Sequence, residues 1–348
     1  MRLAIIARAP AESAIGVDNT RVKSLPVRRA LVGGVAGALV LAAGWRARVL
    51  LGTNPNGGTP VTLPNGMRIR QWQKMETDFL YEETFGKYSV YAKGNYIDFQ
   101  PGAVIVDAGA NVGMFTLFAA DRCRGDAEIF AFEPIPTTFS VLAANAAAAT
   151  RGDYSAAMGA RPGASLKIHA INCGLSATKE EVIFQHHPHF SVWSTQDADF
   201  AHQRLDRFLA DVAGMIPLAP AVLSRAVVRP FIAWMGRTKK VTATLVPLSS
   251  IIEDYRLDRI DILKADVEGA EVAVLQGITP NQWDLVRQVV TEVEYFATKD
   301  RVIEILEAHG FTTYWYASER ERYGDVRSEV CMVYAWRAED RRTLRPTT

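Results

Sequence analysis

The stretch Val104–Ala120, VIVDAGANVGMFTLFAA, constrains the fold more than any other. A β-branched run ends at an acid, turns through small residues and continues as an apolar helix. That is the pattern of a strand, a tight loop and a helix packed back on one sheet. Gly109, Asn111 and Gly113 take alternate positions of the turn. Gly109 permits a tight bend, Asn111 tolerates a left-handed backbone, and Gly113 lets the following helix approach the sheet. The start of that helix directs free N–H groups toward a bound anion.

The same alternation runs through the rest of the chain. Short apolar runs at 103–107, 128–133, 166–172, 261–266, 286–294, 311–316 and 329–336 are mostly separated by helical patterns. This predicts an α/β domain built on a mostly parallel sheet. The last two runs have no convincing helix between them, so the sheet is expected to end in an antiparallel pair. Residues 1–55 read as an appendage ending near the linker GTNPNGGTP, and 56–102 as a hairpin around Pro64-Asn65-Gly66 followed by a helix, together a lid. Residues 103–340 form the main domain, interrupted at about 174–240 by an insertion read as a helical cap, because its prolines exclude one straight helix.

Composition narrows the partners. A formal net charge of +1 supplies no global field for nucleic acid. Cys123, Cys173 and Cys331 are far apart in apolar surroundings, which argues against a disulfide framework or thiolate cluster and for a reducing, cytoplasmic setting. The apolar run Ala30–Trp45, about 16 residues, falls short of the ~20 that usually span a bilayer. It reads either as a packed or surface helix or as a membrane anchor. A second oily segment, Val212–Leu223, reads as a buried cap or, with 30–45, as a contact to a membrane surface.

The opening turn also carries charge. Asp107 closes the first strand, and Glu133 closes the second about 20 residues after Gly113, where an acid accepts both hydroxyls of a ribose. A nicotinamide dinucleotide calls for G-x-G-x-x-G, whereas the corresponding positions here are Gly109, Asn111 and Met114. A carboxylate at the turn opposes a pyrophosphate and favours an ammonium or sulfonium group. S-Adenosylmethionine has both cations and a ribose, so it is the expected cofactor. Asp107, Gly109, Asn111, Gly113, Glu133 and Asn172, the last closing the third strand, form the candidate cofactor site.

With LPNGMRI, ETDFLYEETF, VDAGANVGMFT, FEPIPTTFSVLAAN, INCGLS, IDILKADVEGAEVAVLQGI and VVTEVEYF in this order over about residues 62–337, the chain resembles the FkbM-type methyltransferases of the Rossmann-like, S-adenosylmethionine-dependent class. The resemblance implies a class I methyltransferase sheet with an antiparallel last strand. It also implies methyl transfer, commonly to a hydroxyl of a sugar, a polyketide or another natural product, and hence a small-molecule or glycolipid-like acceptor. Two readings of other classes stay open: an NAD(P)-dependent reductase on a similar sheet, and a non-catalytic, membrane-associated module that keeps the fold.

ILKADVEGAE is the second dense patch. In one reading Asp266 caps a helix and the acids that follow complement its positive end. In the other it faces the reacting methyl across the crevice where strand order reverses. Asp266 is then the first candidate to position or deprotonate the acceptor and Glu268 the second. Lys264, uncomfortable in a central strand, pairs with an acid and joins the catalytic set. Glu292, the fourth residue of the catalytic set, and Glu294 end the fifth strand on the same rim, and many members of the family carry a His where Glu294 stands. His186, His187 and His189 read as a hydrogen-bonded loop, a pocket wall or metal ligands; their spacing matches no zinc motif, and no metal set is assigned. Glu76-Thr77-Asp78 is a helix start or part of a lid over the cofactor.

Overall fold

The structure is a computed structural model that describes residues 58–87, 89–92, 96–187, 191, 194, 237–294, 296–317 and 330–337. The oily segments 30–45 and 212–223, His189, and the middle of the insertion lie outside the described residues. Among the described residues no helix is long and apolar enough to cross a membrane.

A hairpin opens the described chain. Strands β1 (Thr59–Thr62) and β2 (Arg68–Gln71) pair antiparallel, with Thr62 opposite Arg68 across the Pro-Asn-Gly turn. Helix α1 (Lys74–Thr84) follows. Then come β3 (Ala103–Ala108), α2 (Met114–Arg122), β4 (Ala127–Phe132), α3 (Pro136–Thr150) and β5 (Leu166–Ile171). After a side sheet described below, α4 (Leu248–Tyr255), β9 (Ile262–Ala265), α5 (Glu271–Gln276), β10 (Gln288–Val293), α6 (Phe296–Ala308), β11 (Phe311–Ala317) and β12 (Cys331–Arg337) complete it.

The main sheet has seven strands in the order β11-β12-β10-β9-β3-β4-β5. Five neighbouring strands run parallel, and β12 runs antiparallel between β10 and β11, so the expected antiparallel pair is present. This is the mostly parallel α/β sheet expected from the strand spacing, with the antiparallel strand expected from the family resemblance. Chain order reverses between β3 and β9, which opens a crevice at their carboxyl ends.

Both faces of the sheet are covered, which is why its strands read as nearly continuous apolar runs rather than alternating ones. On one face Ile105, Ile129, Ile262, Val290 and Tyr334 pack under the hairpin and α2. On the other, Val106, Phe130, Leu263, Val289 and Val333 pack under α4, α5 and α6. Each fully buried Ile, Leu or Val stabilises by about 1.5–3 kcal/mol.

One part was not expected. Strands β6 (Gly174–Leu175), β7 (Glu180–His186) and β8 (Lys239–Val246) form a separate three-stranded sheet in the order β6-β8-β7. The two ends of the insertion are therefore strands, with Glu180 opposite Leu245 and His186 opposite Lys239. The helical-cap reading places no strand between Cys173 and Ile260, although Val241–Leu245 alternates apolar and polar residues as a half-buried strand does.

Candidate active site

The glycine turn lies at the mouth of the crevice. Gly109, Asn111 and Gly113 all adopt positive φ, at 73°, 50° and 92°. A Cβ on Gly109 would sit 1.8 Å from the carbonyl oxygen of Asp266, so the loop and the end of β9 meet only because no side chain is there. Gly113 precedes the first turn of α2, whose free N–H groups face the crevice. Glu133, at the end of β4, accepts the Asn111 N–H through Oε2 at 3.1 Å and the Ile135 N–H through Oε1 at 2.9 Å. Burial raises its pKa to about 7 against the pull of those two donors. Asn172 donates to the Glu133 carbonyl at 2.8 Å and to that of Pro134 at 3.2 Å, so it fixes the backbone that carries Glu133.

Asp107 does not present a free charge to the turn, which corrects the electrostatic premise read from the sequence. It is fully buried, with Oδ1 3.1 Å from the Lys264 ammonium and Oδ2 accepting the Thr116 hydroxyl at 2.5 Å. Lys264 also donates to the carbonyls of Gly109 at 2.8 Å and Ala108 at 3.2 Å. Burial disfavours its charge, yet Asp107 and Asp266 raise its pKa overall. The lysine thus pins the turn from below.

Beyond it, a carboxylate rim crowns β9 and β10. Asp266 Oδ2 lies 3.7 Å from Lys264 Nζ and 3.5 Å from the hydroxyl of Tyr91. Its Oδ1 has no hydrogen-bond partner among the described residues. Burial, then Asp266, Glu83, Glu294 and Glu268, hold the Glu292 carboxyl well above the usual carboxylate range. Glu268 takes a positive φ of 56°, so the turn after Asp266 is bent back on itself rather than capped as a plain helix start. Glu294 is buried on the same rim.

Glu271 opens α5, fully buried, with Oε1 accepting the Gly269 N–H at 2.8 Å and Oε2 unpartnered among the described residues. Burial above all raises its pKa from 4.5 to about 8. The folded chain therefore holds this proton where the unfolded chain has lost it. The stabilisation is full below the unfolded value and disappears as pH rises through about 8. Glu271→Gln is expected to leave the melting temperature near pH 5 unchanged and to raise it by a few degrees near pH 9, as thermal melts at the two pH values would show.

The N-terminal helix and the insertion reach the same turn. Glu76 and Thr77 are buried, while Asp78 pairs with Lys74 at 2.6 Å in solvent. The Ser191 hydroxyl lies 2.5 Å from Glu76 Oε1 and 3.2 Å from Asn111 Oδ1, which joins α1 to the glycine turn. Asn145 of α3 accepts the Arg70 N–H at 2.7 Å and donates to the carbonyl of Val112 at 2.8 Å, tying the hairpin to that turn. His186 contacts the Ser194 hydroxyl at 3.0 Å and that of Thr137 at 3.3 Å, and His187 is buried. Among the described residues no three His, Cys, Asp or Glu side chains are placed to hold a metal ion. Tyr91 and Ser191 carried no local sequence signal of a role here, whereas Asn145 closes the motif FEPIPTTFSVLAAN.

These residues fall inside one known family pattern or border it. A family model described as the Methyltransferase FkbM domain matches residues 107–313. The chain belongs to the FkbM methyltransferase family. The matched range takes in the glycine turn, Glu133, Asn172 and the carboxylate rim, and membership in a methyltransferase family replaces the reductase alternative. The methyltransferase sdnD of Sordaria araneosa is 30% identical over 68% of this chain and 83% of its own length. The 31-O-demethyl-FK506 methyltransferase FkbM of Streptomyces tacrolimicus is 29% identical over 72% of this chain and 87% of its own. The AMB antimetabolite synthetase AmbE of Pseudomonas aeruginosa is 30% identical over 72% of this chain, which spans only 11% of that protein.

Proposed function

We propose that the chain transfers a methyl group from S-adenosylmethionine to a hydroxyl oxygen of a small natural-product or glycolipid-like acceptor, with Asp266 taking the proton. The observation that carries this reading is the asymmetry of the Asp266 carboxylate. Oδ2 is approached by Lys264 and Tyr91, whereas Oδ1 has no hydrogen-bond partner among the described residues.

The residues present fit this cofactor. A left-handed turn lies between a helix N-terminus and Glu133, whose carboxylate retains lone pairs for ribose hydroxyls. Bound S-adenosylmethionine supplies an electrophilic methyl group. Lys264 is a positioning residue that holds Asp107 and the turn carbonyls in place. Glu292, whose carboxyl burial and then the neighbouring acids push well above the usual carboxylate range, serves as a donor to the acceptor or to Asp266 rather than as the base. Glu76, reaching the turn through Ser191, lets α1 serve as a lid that excludes water. The name of the Streptomyces relative specifies an O-demethylated substrate, which supports an oxygen acceptor.

Glu133→Ala is expected to weaken S-adenosylmethionine binding by about a hundredfold or more, the loss of about two charge-assisted hydrogen bonds of at least about 1.5 kcal/mol each. Isothermal titration on a variant with an unchanged melting curve checks this. Wild-type protein that is folded and takes up no S-adenosylmethionine would end the proposal.

A further inference from the structure

We infer that Tyr91 is a positioning residue for the acceptor base, its hydroxyl holding Oδ2 of Asp266 so that Oδ1 stays turned toward the acceptor. The inference rests on the role proposed above for Asp266. Tyr91 comes from the segment between α1 and β3, 175 residues from Asp266 in sequence, and is buried. Its oxygen lies 3.5 Å from Oδ2, a long contact of the kind that tightens when a site is filled.

Packing fixes the ring. It meets Phe115 edge-on at 4.7 Å between centroids and is tilted against Phe118 at 6.4 Å. Phe115 in turn lies 5.7 Å from the Lys264 ammonium, so the tyrosine and the lysine reach the same carboxylate oxygen from one packed group. The backbone is clamped as well. The carbonyl of Val90 accepts the hydroxyl of Tyr334 from β12, which lies 3.4 Å from the hydroxyl of Tyr316 on β11.

Core filling alone does not account for the hydroxyl. A phenylalanine would occupy the same space without placing a polar atom beside a carboxylate. Burial, together with Asp266, Glu292, Glu83 and Asp107, holds the phenol well above the ordinary tyrosine range, so it remains a donor at any working pH. With one oxygen of Asp266 engaged from two sides, the carboxylate loses its freedom to flip, and the acceptor meets a pre-set base.

The test uses the full chain labelled with carbon-13 at the aspartate carboxyls, with S-adenosylhomocysteine as the probe. The Asp266 resonance is assigned by its loss in Asp266→Asn. Tyr91→Phe, which keeps the ring packing, is expected to shift that resonance with and without the probe. Crystals of the variant with the probe are expected to show Asp266 in a different rotamer, while probe affinity stays within about twofold of wild type. An unmoved resonance and an unchanged rotamer would overturn the inference, as would loss of the fold in Tyr91→Phe. Failure of wild type to bind the probe would instead overturn the cofactor reading, and the ligand-free spectra still decide the role of Tyr91.

Discussion

Lys264→Met is expected to lower the free energy of unfolding by about 3–5 kcal/mol, the usual consequence of removing one partner from a buried ion pair. The lysine side chain is 3% exposed and its aspartate partner 0%. Methionine matches the stem in length but removes every donor. Asp107 would be left buried with only the Thr116 hydroxyl, and the carbonyls of Ala108 and Gly109 would lose the ammonium that they share. A domain of this size has a total stability of about 5–15 kcal/mol, so the loss is a large fraction of it. Urea unfolding with an unchanged m-value is the measurement. The double variant Asp107→Asn with Lys264→Met is expected to recover part of the loss, since no unpaired charge remains buried. A decrease below about 1 kcal/mol would show that the pair is not what holds the turn.

This pair also marks the border of what the sequence can say. The strands were legible because both faces of the sheet are buried, so Ala103–Ala108 and Ile262–Ala265 stand out as apolar runs whatever surrounds them. The glycine turn was legible because left-handed backbone leaves few residue choices, and all three of Gly109, Asn111 and Gly113 use it. Pairing across the sheet was not. The need of Lys264 for an acid could be read from its place in a central strand, but that the acid is Asp107, and that the turn therefore carries no free carboxylate, depends on two strands 157 positions apart lying side by side.

The same reason hid other parts of the site. Ser191 touches both Glu76 and Asn111, contacts that span 115 and 80 positions. Strands β7 and β8 find each other across the whole insertion; β7 lacks the alternation of a half-buried strand, whereas β8 carries it from Val241 to Leu245, a local signal that the helical-cap reading leaves out. Tyr91 looked like one aromatic among many. Local chemistry announces a turn or a strand, while a tertiary contact leaves its partners individually ordinary.

The second large effect separates the two carboxylates on the rim. Asp266→Asn is expected to reduce methyl transfer about 10²–10⁴-fold, the range for a positioned general base, with S-adenosylmethionine affinity within about twofold of wild type. Asparagine keeps the shape of the side chain and an oxygen for the Tyr91 hydroxyl, but it cannot take up the acceptor's proton. Glu292 is the weaker candidate for this role, because burial and the acids Asp266, Glu83, Glu294 and Glu268 push its carboxyl well above the usual carboxylate range and so favour its protonated form. Glutamine resembles that protonated form, so Glu292→Gln in the same assay should retain most of the turnover. The measurement is conversion of S-adenosylmethionine to S-adenosylhomocysteine at saturating cofactor, with any hydroxyl acceptor that wild type methylates. If Asp266→Asn stays within about threefold of wild type while Glu292→Gln collapses, the proton leaves through β10 rather than β9, and the open oxygen of Asp266 has some other purpose.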